Sequence, residues 1–164
     1  MNRTWAEYKV GFGDPSGNYW LGNDLLSQLT ANYSYKLRFD LQQRSTGNWY
    51  YAEYSTFRVV SEADDYTLQM AGFSGNASYD AFGEWHHNGQ QFSTIDHDND
   101  RESSGNCAAR YGGFWYGWCG GCRVNGVRSG TGHFDWAGLP RAGRLPGRYG
   151  PWNLQLSRMW LECK

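Results

Sequence analysis

The stretch YKLRFDLQQ constrains this chain most. Tyr35, Leu37, Phe39 and Leu41 alternate with Lys36, Arg38, Asp40 and Gln42, a period of two that places the apolar side chains on one face of an extended strand. The polar STGN that follows reads as a turn, and YAEYSTFRVV resumes in β-branched and aromatic residues, so the two runs predict a hairpin. Just upstream, NDLLSQLT offers Asn23 or Asp24 as a cap ahead of Leu25, Leu26 and Leu29, a short amphipathic helix. From about residue 71 the texture changes: glycine, asparagine and serine interrupt every apolar run, and no window of ten residues keeps one period. The predicted organisation is therefore a sheet subdomain over 1–70, a loop-rich subdomain over 71–153, and a strand-like segment over 154–164 that returns to the first sheet.

A length of 164 residues suits one domain with its own core. The 22 glycines and 18% aromatic residues, nine of them tryptophan, fit a loop-rich fold held by large flat side chains. A net charge of -1 without runs of like charge argues against a nucleic-acid or anionic-membrane partner. No stretch reaches the roughly 20 apolar residues that span a bilayer, and MNRTWAEYKV has no apolar segment of the signal-peptide kind. Four cysteines, Cys107, Cys119, Cys122 and Cys163, and three glycosylation sequons, at Asn2, Asn32 and Asn76, together point to a secreted, extracellular chain.

The segment STIDHDNDRESSGNC sets Asp96, Asp98 and Asp100 at alternate positions. Acids at such spacing in a curved loop can converge on Ca2+, with intervening carbonyls filling its remaining oxygen positions. The EF-hand template fails, because Arg101 replaces the required glycine, Cys107 replaces the closing glutamate, and no helical pattern flanks the loop. On spacing alone the stretch reads either as a metal loop or as a solvated turn. Cys119-Gly120-Gly121-Cys122 has the form of a thiol redox pair without the strand-helix context that lowers a thiol pKa, and a zinc site would have only His133, Cys107 and Cys163 to complete it. Structural disulfides suit these cysteines better. AARYGGFWYGW, between Cys107 and Cys119, supplies rings for either a small core or the wall of a site. No nucleophile elbow, phosphate loop, dinucleotide fingerprint or zinc-protease motif occurs, and Glu62, Asp64 and Asp65 sit in a turn-like stretch, so nothing argues for an enzyme.

Taken together, WAEYKVGFGDPSGNYWLGND, YAEYSTFRV, FSTIDHDND, GNCAARYGGFWYGWC and the later V-N-G resemble the fibrinogen C-terminal domain of fibrinogens, ficolins, tachylectins, tenascins and angiopoietins. The resemblance implies an α+β fold: a twisted, mainly antiparallel sheet with short helices, followed by a loop-rich calcium- and ligand-binding subdomain. The family's domain ordinarily starts earlier, with a small disulfide-bonded subdomain that has no counterpart here. The resemblance thus implies a fragment, a truncated form or an unusually short member, whose uncovered surface is either sticky or covered by a partner chain, a second copy included.

The same resemblance implies Ca2+ held by the carboxylates of Asp98 and Asp100 and by the carbonyls of Glu102 and Ser104, with Asp96 supporting the loop. It also implies a Cys107–Cys119 disulfide, leaves Cys122 and Cys163 for a second bridge, and puts a cis peptide at Trp118–Cys119. A ligand pocket would form from Tyr111, Trp118, Cys119, Gly120, Phe134 and Tyr149 or Trp152, with His133 standing in for the histidine that acetyl-binding relatives carry at the position of Gly120. The expectation is a secreted lectin-type module for acetylated or microbial-surface glycans in innate immunity. The alternative is a protein-interaction module that binds a receptor or peptide in signalling, adhesion or coagulation.

Overall fold

The computed structural model describes residues 3–77, 80, 82, 87–119, 122, 124–125 and 154–164. Its centre is a four-stranded antiparallel sheet in the order β5-β4-β3-β8, built from β3 (Tyr35–Gln43), β4 (Trp49–Val59), β5 (Leu68–Gly75) and β8 (Leu154–Cys163). The predicted hairpin is β3 and β4, registered from Tyr35 opposite Phe57 to Gln42 opposite Trp49. Leu37, Phe39 and Leu41 are fully buried, as their alternation requires. The β3–β4 pairing slips between Tyr35 and Leu37, and this irregularity explains an otherwise odd burial pattern on β4. Ala52 and Tyr54 point inward before it and Phe57 and Val59 after it, so one extra residue resets which side chains face the core. β5 carries the sheet to Gly75, a few residues beyond the expected end of the sheet region. β8 pairs antiparallel with β3, Tyr35 opposite Cys163 and Gln43 opposite Leu154.

Among the described residues three α-helices accompany the sheet. α1 (Trp5–Val10) starts at a reciprocal capping box, in which the Thr4 hydroxyl accepts from the Glu7 N–H and the Glu7 carboxylate accepts from the Thr4 N–H. A small ribbon of β1 (Phe12–Gly13) and β2 (Tyr19–Trp20) leads to α2 (Asn23–Asn32), the helix that NDLLSQLT predicts. Its cap differs from expectation. Gly22 stands at the N-cap with no side-chain hydrogen bond, because Asn23 is buried and its Oδ1 accepts from Trp20 Nε1, while Asp24 Oδ1 accepts from the Tyr66 hydroxyl. Both polar side chains serve tertiary contacts instead of the helix end.

The loop-rich half adds β6 (Phe92–Ser93), α3 (Cys107–Tyr111) and β7 (Phe114–Trp115), with β6 and β7 paired. Its rings belong to the same core as the sheet. Phe92 packs edge-on against Trp115 at 5.0 Å, and Tyr8 packs edge-on against Trp20 at 5.5 Å. Phe82 lies between Phe39 and Phe114. Phe114, Trp115 and Tyr116 are all fully buried. Most of AARYGGFWYGW is therefore core, because the flanking glycines let the chain pass close beneath α1. Gly113 shows how close that approach is: a Cβ there would stand 2.4 Å from the Tyr8 ring, and the Gly113 N–H donates to the Tyr8 hydroxyl at 3.0 Å.

Candidate functional site

The acidic loop is anchored at both ends before any cation is considered. Thr94 and His97 close a tight turn through reciprocal backbone hydrogen bonds of 2.8 and 3.3 Å. Asp96 Oδ1 accepts from the Trp5 N–H and from the Thr94 hydroxyl, both at 2.8 Å, which ties the loop to the first turn of α1. The His97 ring stacks on Trp5 at 4.2 Å and lies 3.4 Å from the Asp65 carboxylate. Asn99 adds two bonds, its N–H to Ser93 Oγ and its amide to the Phe92 carbonyl. These anchors hold Asp98 and Asp100 in place through their neighbours in sequence.

Asp98 and Asp100 come together. Asp98 Oδ1 accepts from the Asp100 N–H at 3.3 Å. Asp100 uses both of its oxygens, Oδ1 accepting from the Glu102 N–H at 2.8 Å and Oδ2 from the Cys107 N–H at 2.7 Å. Burial, with the Asp98 charge adding to it, pushes the Asp100 carboxyl above its ordinary pKa despite these two donors. Two crowded carboxylates in a partly desolvated loop are a hard-oxygen donor set, and each ionised carboxylate has acceptor sites left over. Among the described residues no three His, Cys, Asp or Glu side chains converge on one point, so any cation here would rely on backbone carbonyls as well. The Glu102 carbonyl accepts a long 3.4 Å bond from the Gly105 N–H, and the Ser104 carbonyl accepts a 3.4 Å bond from Arg110 Nη2. Arg110 thus stands beside one of the expected carbonyl donors, which sequence spacing did not indicate.

The Cys107–Cys119 disulfide is present and closes the loop behind the acids. The expected second bridge is not. Cys122 is buried and Cys163 exposed at the far end of β8. Ser157 Oγ donates to the Val124 carbonyl, so the start of β8 is what approaches Cys122. Six further strand residues carry Cys163 about 20 Å onward, well beyond the roughly 4.4–6.8 Å between Cα atoms that a disulfide spans. The Trp118–Cys119 peptide is trans, the form favoured by about 3–4 kcal/mol for a non-proline residue.

His87, which no sequence motif singles out, positions this region from below. Its Nε2 accepts from the Cys122 N–H at 3.0 Å, so Nδ1 carries the proton and donates to the Trp115 carbonyl at 2.6 Å. The ring is buried and clamps the chain on both sides of Trp118 and Cys119. Asn106 was missed as well. It caps α3 by accepting from the Ala109 N–H, and its amide donates to the Thr94 carbonyl. The S-G-N-C spacing ahead of a short apolar run carried that signal.

Of the expected pocket residues, Tyr111 ends α3 half-buried against the core, and Trp118 is 48% exposed on the loop that Cys119 closes. Gly120, His133, Phe134, Tyr149 and Trp152 lie outside the described residues, as does Asn2.

Residues 1–142 match the family described as fibrinogen beta and gamma chains, C-terminal globular domain. The chain belongs to this family. The domain is 40% identical over 131 residues to a fibrinogen-like protein 1-like protein of Gallus gallus, covering 76% of this chain and 46% of that protein. It is 41% identical over 132 residues to angiopoietin-4 of Bos taurus, covering 77% of this chain and 25% of that protein. The chain thus spans less than half the length of either relative. Among solved structures it superposes on the fibrinogen-like globe domain of human ANGPTL2 with a TM-score of 0.83 at 36% identity, covering 99% of this chain and 74% of that one. A lamprey fibrin D-dimer complexed with the peptide Gly-His-Arg-Pro-amide matches with a TM-score of 0.76 at 28% identity, covering 97% of this chain and 56% of that one. The fold is the α+β fibrinogen-like globe. No described helix is long and apolar enough to cross a membrane.

Proposed function

We propose that this domain is an extracellular, non-catalytic protein-interaction module that binds a receptor or peptide at the face carrying Trp118, with Ca2+ held by Asp98 and Asp100 to stiffen that face. The observation that carries the reading is Trp118 itself, nearly half exposed on a loop fixed by a disulfide, by the His87 clamp and by the anchored acids. A rigid exposed tryptophan costs little ordering entropy on binding and is the side-chain type that most often dominates protein interfaces. The peptide complex of the lamprey fibrin D-dimer, a related fold, supports a protein or peptide ligand over a sugar.

The cation would act through the loop. Asp98 and Asp100 would supply carboxylates and Glu102 and Ser104 carbonyls. The Arg101 N–H donates to the Gly117 carbonyl at 2.8 Å, which connects the acidic loop directly to the residue before Trp118. A lectin function has weaker support, since Gly120 stands where acetyl-binding relatives carry histidine.

The test is an array of secreted and cell-surface receptor ectodomains run beside an N-acetyl glycan array, each with calcium and with chelator. The expected result is calcium-enhanced binding to an ectodomain that falls at least about tenfold in Trp118→Ala, the loss of one interface anchor. Binding only to acetylated glycans, or ectodomain binding indifferent to Trp118, would overturn the reading.

A further inference from the structure

We propose that Asn32 carries an N-linked glycan whose first sugar is seated in the groove between the end of α2 and strand β4. Asn32, Tyr33 and Ser34 form a sequon in which all three residues are exposed. Asn32 is the last residue of α2, and Tyr33 leaves the helix in an extended conformation, φ -136° and ψ 153°. The Asn32 amide is held only by a long, exposed 3.3 Å bond to the Gln28 carbonyl, so its nitrogen can be modified at little cost to the helix. The sequon at Asn76 differs. Tyr51 N–H donates to Asn76 Oδ1 at 2.8 Å and the Asn76 N–H donates to the Tyr51 carbonyl, which makes that side chain an added rung of the β4–β5 pairing.

All three sequon residues line a groove of about 300 Å³, together with Tyr35, Thr56, Arg58 and Lys164. That volume is roughly the space of ten water molecules, enough for one pyranose ring. The wall is polar and cationic at its rim, with the exposed Tyr33 ring available for the apolar face of a sugar. The groove and its covalently tethered occupant therefore come from the same three residues.

Its place in the fold also matters. The first turn of α2 sits beside α1, where Asp24 approaches Lys9 at 3.9 Å, and α1 in turn holds the acidic loop through Trp5. Ten residues of helix carry Asn32 about 15 Å away from that end. A glycan there shields the remote end of the sheet and leaves the Trp118 face open. The proposal shares only the secretory route with the functional reading, and receptor binding is scored separately from glycosylation.

The test is expression through the secretory pathway of eukaryotic cells, with intact mass and glycopeptide analysis of the secreted chain. Asn32→Gln and Ser34→Ala should each remove the same single N-glycan, the second without touching Asn32. Peptide N-glycosidase should release this glycan from the native protein about tenfold more slowly than from the unfolded chain, because release from a seated sugar waits on local opening. Arg58→Ala should shorten that delay. A secreted chain bare at Asn32, or equal release rates from native and unfolded protein, would overturn the proposal, and neither result bears on ectodomain binding.

Discussion

Asp98 and Asp100 look equivalent in sequence, but the structure gives them different duties, and a pair of isosteric substitutions separates these. Asp98 accepts one 3.3 Å hydrogen bond, from the Asp100 N–H, which an asparagine oxygen can accept equally well. Asp98→Asn should leave the calcium-free protein about as stable as the parent, or slightly more stable, since it also removes the charge crowding Asp100. Asp100 accepts from two backbone N–H groups with two different oxygens. Asn in its place turns one acceptor into a donor and leaves the N–H of Glu102 or Cys107 unpaired, at a cost of about 1–3 kcal/mol. At about 2–4 °C per kcal/mol for a domain of this size, Asp100→Asn should lower the Tm in chelator by several degrees. Calcium at about a hundred times its Kd should stabilise the parent by about 2.7 kcal/mol, and both variants should lose most of that increment. The assay is thermal denaturation in chelator and in a calcium titration, with calorimetry for the binding itself. A calcium increment undiminished in Asp98→Asn would refute the assignment of the cation site. An Asp100→Asn protein as stable as the parent in chelator would refute the anchoring role of Asp100.

Reduction of Cys107–Cys119, which closes a loop of 12 residues, should cost about 3 kcal/mol on the loop-entropy scale, read as a fall in Tm on adding reductant that Cys107→Ala/Cys119→Ala reproduces. Thiol titration should find Cys163 reacting at once and Cys122 only on unfolding, and two fast thiols would contradict the burial of Cys122. Gly113→Ala should be severely destabilising by denaturant titration, because the new methyl meets the buried Tyr8 ring, which is fixed among Phe12, Trp20 and Phe92. Hydrogen bonds from Lys9 and then Trp5 hold the Glu62 carboxyl below its ordinary pKa. Its small contribution is therefore present above the unfolded-state pKa of about 4.3 and is lost as pH falls through the lower folded value. Glu62→Gln should flatten the acid limb of the stability profile and leave neutral pH little changed.

The regular half of the fold was legible because its signals are local. The alternation of Leu37, Phe39 and Leu41 declares a half-buried strand, and the leucine pattern after Asn23 declares α2. The helix α1 was overlooked although Thr4 and Glu7 spell its capping box, since six residues hold too little periodicity to draw attention. What could not be read were side chains working over long separations. Asp24 binds Tyr66 instead of capping α2, Asp96 reaches 91 positions back to Trp5, and His87 serves Trp115 and Cys122. The resemblance placed the first disulfide, whereas Cys122 and Cys163 illustrate its limit: pairing leftover cysteines ignores the length of β8 that separates them.

Strand β8 has a consequence for how the domain is made. Asp40 on β3 and Trp160 on β8 are joined by a 2.7 Å hydrogen bond across 120 positions of sequence. At a synthesis rate of about 5–20 residues per second, the edge of β3 waits on the order of ten seconds for its partner. Throughout that interval the nascent chain presents an unpaired strand edge with Phe39 and Leu41 beside it, a template for pairing with other chains. The domain should therefore depend on chaperone protection until its last strand emerges, and a premature stop before Leu154 should give aggregation rather than a smaller folded unit.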